Sequence, residues 1–210
     1  MGNETGTFAY TDFCYDRDEL YMTCLVYRRD ARSEEPFPDG VNLYVESKGL
    51  STDVPMASAY RFCMLPDGTL SISKGNGQEW AQTALPTVRA VGVVTGTTYR
   101  LELAIPWTAM GLSAAPVGGN LSVNLEILTG DGTAQLVERI PDASPTKPAT
   151  WMPLKLIEAD PDNINEMKNE ELKMKKAIYD LQGRKVELPQ KGIYIIVDKA
   201  AGSKKVLLNS

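Results

Sequence analysis

The 210 residues include no histidine, which narrows the chemistry their side chains can do. That absence excludes Ser-His-Asp and Cys-His triads, imidazole acid–base chemistry and most catalytic zinc sites. Tryptophan occurs at three places: Trp80 in KGNGQEWAQT, Trp107 in LAIPWTAMG and Trp151 in SPTKPATWMPL. An exposed aromatic ring offers a flat apolar surface for the C–H face of a pyranose, and short polar side chains nearby can bind the hydroxyls. Ring candidates should lie on loops. Trp151 stands in a Pro/Ser/Thr loop, Phe37 between prolines in EEPFPDG, and Trp80 in a polar, Gly-rich loop. Asp39, Asn42 and Arg61 are the best polar partners, although a solvated face or a local salt bridge is the plainer reading of each.

Carboxylates give no catalytic pattern. A glycosidase needs two acids flanking one scissile bond at a set separation. Glu34, Glu35 and Asp39 crowd one loop, while Glu102 and Glu126 have solvent-face parity on strands. No enzyme is expected within the chain. The run Glu158-Ala-Asp160-Pro-Asp162-Asn163 superficially resembles a calcium loop, but Asn163 replaces the glycine and Asn169 the bidentate acid that an EF-hand needs. No cofactor is expected. A looser structural calcium site stays open, with no ligands placed. Haem ligation would require Met–Lys or bis-Met, and the 8 methionines are more simply gap-filling core residues.

These side chains need strands to position them. Hydrophobic residues make up 43% of the chain, enough for a sizeable core. The net charge of −5 argues against a general nucleic-acid binder, and no apolar run is long enough to span a bilayer. GTFAYTDFCY, LYMTCLVYRRD, GVNLYVES, VRAVGVVT, TYRLELAI and LSVNLEIL alternate or are continuously apolar over strand lengths. AYRFCML and TLSIS pair through Asp67-Gly68, AQLVERI follows TGDGT, and MPLKLIE closes the series. About ten short strands without a long helical period indicate an all-β antiparallel sandwich. In TTYRLELAIPWTAMGL, Tyr99, Leu101, Leu103 and Ile105 share one face, which Trp107 continues, so Trp107 is assigned to the core. Pro106 and Gly111 suit the two ends of a one-turn helix. Cys14, Cys24 and Cys63 lie in apolar strand-like runs and are expected as buried reduced thiols. Their spacing leaves a disulfide open.

Residues 1–159 are expected to form the sandwich, 160–176 a polar linker with some helix, and 177–210 a small C-terminal β appendage. The start, MGNETGTFAY, lacks the basic and apolar regions of a signal peptide. Either the protein stays inside or the chain begins downstream of an export signal.

Three segments resemble family-9 carbohydrate-binding modules: YDRDELYMTCLVYRRD, PFPDGVNLYVES, and YRLELAIPWTAMG followed by GGNLSVNLEI. Together they cover about residues 7–157. The resemblance implies a β-sandwich that binds oligo- or polysaccharide without making or breaking bonds, beside a catalytic domain in the same parent protein or at the cell surface. It implies that Trp151 is one wall of a sugar slot and Phe37 lies near the other. Asn42 stands where the family usually has glutamate, and Phe37 near a usual tryptophan. The strand that usually precedes these segments, with its own tryptophan, is absent, so a truncated N-terminus is expected. The alternative is a structural or interaction sandwich that has lost sugar binding. IYDLQGRKV, PQKGIYII and KKVLLNS resemble the C-terminal sorting domain of proteins secreted by the type IX system of Bacteroidota. That resemblance implies a secreted or cell-surface protein whose tail is read by the secretion machinery.

Overall fold

A computed structural model describes residues 7–28, 38–130, 135–157, 177–179, 192–198 and 202–208. The chain divides into two compact units, Met1–Ile157 and Glu158–Ser210.

The first unit is an antiparallel β-sandwich. One sheet has four strands: β1 (Phe8–Tyr15), β2 (Glu19–Tyr27), β8 (Thr98–Pro106) and β7 (Arg89–Thr95), in that spatial order. The other has seven. Across it run β10 (Gln135–Arg139), β9 (Asn120–Gly130), β3 (Gly40–Glu46), β4 (Ala59–Met64), β5 (Leu70–Gly75) and β6 (Trp80–Thr83). The seventh, β11 (Met152–Lys155), pairs with the first half of β9, while β10 pairs with its second half. Both sheets follow from period-2 patterning, as in β8, where Tyr99, Leu101, Leu103 and Ile105 are buried and Arg100 and Glu102 face out. Against these pack Leu20, Met22, Cys24 and Val26 of β2 and the odd-numbered residues of β3 and β9.

Trp107 sits where its parity places it. It is 1% exposed, begins a 3-10 turn (Trp107–Met110), and its indole N–H donates to the Asp16 carbonyl at 3.1 Å. Gly111 ends the turn at φ 75°, a left-handed conformation that glycine adopts without steric cost. A second glycine, Gly92 of β7, allows a close approach between sheets. A Cβ there would lie 2.2 Å from the Pro66 carbonyl oxygen and 2.4 Å from the Gly68 nitrogen, so the β4–β5 hairpin rests directly on β7.

The structure changes two expectations. Trp80 is the first residue of β6 rather than part of a loop, because Asn76 closes the preceding turn by accepting the amides of Gln78 and Glu79. All three cysteines are free, but only Cys24 is fully buried; Cys63 is half-buried and Cys14 exposed. Cys14 shares the parity of Tyr10 and Asp12, which places it on the outer face of β1.

In the second unit β12 (Ala177–Tyr179), β13 (Gly192–Asp198) and β14 (Gly202–Leu208) form a three-stranded antiparallel sheet in that order. The expected linker at 160–176 and the calcium-like run at Glu158–Asn169 lie outside the described residues.

Candidate functional site

The outer face of an antiparallel sheet is usually solvated, yet all of β3, on both faces, is buried. What covers its outer face is the site. Tyr44 projects there, 2% exposed, and packs with Ala59, Trp151 and Trp80 in a cluster separate from the main core. The Trp80 and Trp151 rings are nearly parallel, 4° between planes and 6.4 Å between centroids. Tyr44 is tilted beneath both, 5.7 Å from each. Three elements bring the rings together. Tyr44 is central on β3; Trp80 pairs with Gly75 at the start of β6; Trp151 ends the 3-10 turn Pro148–Thr150 immediately before β11.

Both indoles donate to carbonyls of one loop. Trp151 donates its ring N–H to the Ser144 carbonyl at 2.7 Å, and Trp80 donates to the next carbonyl, Pro145, at 3.2 Å. Loop residue Asp142 takes φ 64°, the one positive value at a non-glycine position among the described residues.

Polar side chains form the floor. Cross-strand pairing sets Arg61 and Asn124 on either side of Tyr44. One register step away, Asn42 lies opposite Glu126, which gathers three donors: Tyr44 Oη at 2.6 Å, Asn42 Nδ2 at 3.0 Å and Arg139 Nε at 2.5 Å. Burial, reinforced by the bond to Glu126, pushes the Tyr44 hydroxyl far above its ordinary value, so it stays a neutral donor. Arg61 donates to Ser73 Oγ at 3.2 Å. Three buried atoms on this floor lack a partner in the described structure: Asn42 Oδ1, Arg61 Nε and Asn124 Nδ2. Such atoms are costly to leave unpaired, so a cluster of them beside aromatic rings marks a place suited to a polar ligand.

Of the residues singled out from sequence, Trp151, Trp80, Asn42 and Arg61 share this face. Asp39 does not. It lies on the inward parity of the β3 strand, 0% exposed, and accepts two bonds from Arg28 at 2.5 and 2.6 Å and one from the Gly130 amide at 3.0 Å. Phe37 lies outside the described residues, as do Glu34 and Glu35. Glu102 and Glu126 are on the outer faces of different sheets, so they flank no common bond. Tyr44, Asn124 and Glu126 were not expected as site residues; the available signal was polar or aromatic side chains at outward positions of otherwise apolar strands. Among the described residues no group of His, Cys, Asp and Glu is placed to hold a metal ion, and no helix is long and apolar enough to cross a membrane.

No protein-family model and no curated protein matches the sequence. Solved structures do match. A family-9 carbohydrate-binding module from Caldicellulosiruptor kristjanssonii in complex with cellotriose superposes with a TM-score of 0.61 at 14% identity, over 76% of this chain and 80% of that one. The fold is that of a family-9 carbohydrate-binding module. A family-9 module of the same organism in complex with glucose gives a TM-score of 0.57 at 14% identity, covering 76% of this chain and 81% of that chain. A protein from Bacteroides uniformis, named for suspected carbohydrate binding, gives 0.57 at 14% identity over 72% of this chain and 79% of that chain. The family-9 fold accounts for the sandwich.

Proposed function

We propose that the first unit is a non-catalytic carbohydrate-binding module and that Trp80, Trp151 and Tyr44 form its sugar-binding surface. The observation that carries this reading is the parallel indole pair above three unpartnered polar atoms. A pyranose ring offers what that arrangement lacks: two apolar C–H faces for the rings, and hydroxyls that both donate and accept. Asn42, Arg61 and Asn124 would bind those hydroxyls. A sugar held between two rings needs about 3.5–4.0 Å on each side, or about 7–8 Å in total. The planes here are at most the 6.4 Å of their centroids apart, so the walls must part by about 1 Å on binding. Because Trp151 hangs from the Ser144–Thr150 loop and Trp80 from β6, opening means breaking the Trp80–Pro145 bond. Similarity of fold to modules solved with cellotriose and glucose supports the sugar reading.

The wider setting follows from the sequence resemblances. The chain belongs to a secreted or cell-surface glycan-utilisation protein; residues 160–176 link the sandwich to a tail, 177–210, read by type IX secretion machinery, and the module serves beside a catalytic domain of the same parent or at the cell surface. The family resemblance also makes Phe37 a sugar contact in this reading. Each sugar contact is weak alone, so neighbouring modules would add avidity.

A second reading, a structural sandwich without sugar binding, is favoured by one observation: Trp151 is only 6% exposed, so the cluster can equally serve as a small accessory core. Glycan arrays followed by titration calorimetry separate the two. The sugar reading expects binding by the wild-type chain that Trp151→Ala and Trp80→Ala each abolish while circular dichroism stays sandwich-like. A blank across plant and host polysaccharides favours the structural sandwich.

A further inference from the structure

Arg61 is a cation without an anion. The ion pairs among the described residues are Arg28–Asp39, Arg89–Glu19, Arg100–Glu102 and Arg139–Glu126, and Arg61 is in none of them. Its guanidinium is half-buried beside Tyr44, it donates to the neutral Ser73 hydroxyl, and its Nε is buried and unpartnered. A partly desolvated guanidinium normally faces a carboxylate or phosphate, which its planar fork binds through two parallel N–H bonds.

Two acids share the outer face of β3 and β9, and neither forms an ion pair with Arg61. Glu126 is held by Arg139, Tyr44 and Asn42. Glu46 accepts the amides of Lys48 at 3.1 Å and of Leu50 through Oε2, while its Oε1 is buried without a partner. Arg61 is paired in register with Tyr44 rather than with Glu46.

We propose that the ligand supplies the missing carboxylate, and that this site selects saccharides containing hexuronic acid residues over their neutral counterparts. This inference rests on the sugar-binding reading above. In a hexuronic acid the C6 carboxylate projects sideways from the ring. In the proposed pose the ring stacked on the indoles has its acid turned toward the floor, where Arg61 stands next to Tyr44. Asn124 Nδ2, on the opposite flank of Tyr44, is left to donate to a ring hydroxyl, and Asn42 Oδ1 to accept from one. A neutral hexose would fill the stack and the amides but leave the guanidinium without a counter-charge.

The test is calorimetry of the full chain with four probes: oligomers of galacturonate and of glucuronate, the methyl ester of the galacturonate oligomer, and a galactan oligomer of matched length. We expect at least one acidic oligomer to bind about tenfold or more tighter than the ester and the galactan. Arg61→Gln should bring acidic and neutral ligands to equal affinity without abolishing either. The ester comparison needs no variant, so it decides the matter even if Arg61→Gln fails to fold. Neutral oligomers binding as well as both acids would overturn the acidic preference and leave the sugar reading standing. No binding of any oligomer, together with a blank glycan array, would overturn both.

Discussion

Asp39 and Asn42 lie close in sequence and look like equivalent sugar contacts, yet they face opposite ways from β3. Asp39 neutralises Arg28 inside the sandwich end, with both side chains almost fully buried. Removing a single partner from a buried pair strands the other charge, so Asp39→Ala should lower unfolding free energy in urea by about 3–5 kcal/mol, with sugar affinity per folded molecule unchanged. A normal midpoint with lost binding would instead return Asp39 to the site. Parity alone separates Asp39 from Asn42, and parity was legible in GVNLYVES. What could not be read was the occupant of each face. Asn42 meets Glu126, and Tyr44 lies between Arg61 and Asn124, only because β3 is flanked by β4 and β9, a pairing that spans dozens of residues. Cys14 illustrates the converse. Its apolar neighbours suggested burial, while its parity with Tyr10 and Asp12 already pointed outward.

At the scale of elements, the β8 strand and the turn after it make one unit. Inward residues Tyr99 to Ile105 lead to Trp107, and the indole N–H reaches back to the β1–β2 turn at Asp16. Trp107→Ala would empty a large buried site and remove that tie. The expected cost is about 3–5 kcal/mol by denaturant unfolding, with Trp80 and Trp151 still able to bind sugar in the folded fraction. Unchanged stability would remove Trp107 from the core. This element was readable because a clean alternation ran into Pro106 and ended at Gly111. β6 was not, because GNGQEW carries turn residues up to the strand's first position, and only pairing with β5 makes Trp80 part of a sheet. The two tryptophans that meet at the site therefore arrive from unlike beginnings, one from a strand and one from a helical turn.

For the whole molecule, the acid response follows from carboxylates tied to turns and neighbours. Asp16 is held below its ordinary value first by the Asp18 amide, Glu19 first by the Arg89 guanidinium, and Asp67 first by the Thr69 amide. A carboxyl with a depressed folded value contributes stability above its unfolded value, and that contribution disappears as pH falls through the folded one. The melting temperature should thus be level from about pH 5 to neutrality and fall below about pH 4. The decline should be shallow, because Asp16 and Asp67 are exposed and solvent-screened. A melting temperature that rose in acid would contradict this.

The contact of the β4–β5 hairpin with β7 carries a consequence for descent. Gly68 and Gly92 come so near that a methyl group on either would strike the other's backbone. Neither position can drift by itself. A lineage that gains a side chain at one must lift the hairpin away, and the hairpin leads through β5 to Gly75 and its partner Trp80. The placement of Trp80 is therefore tied to a pair of glycines that lie outside its aromatic cluster.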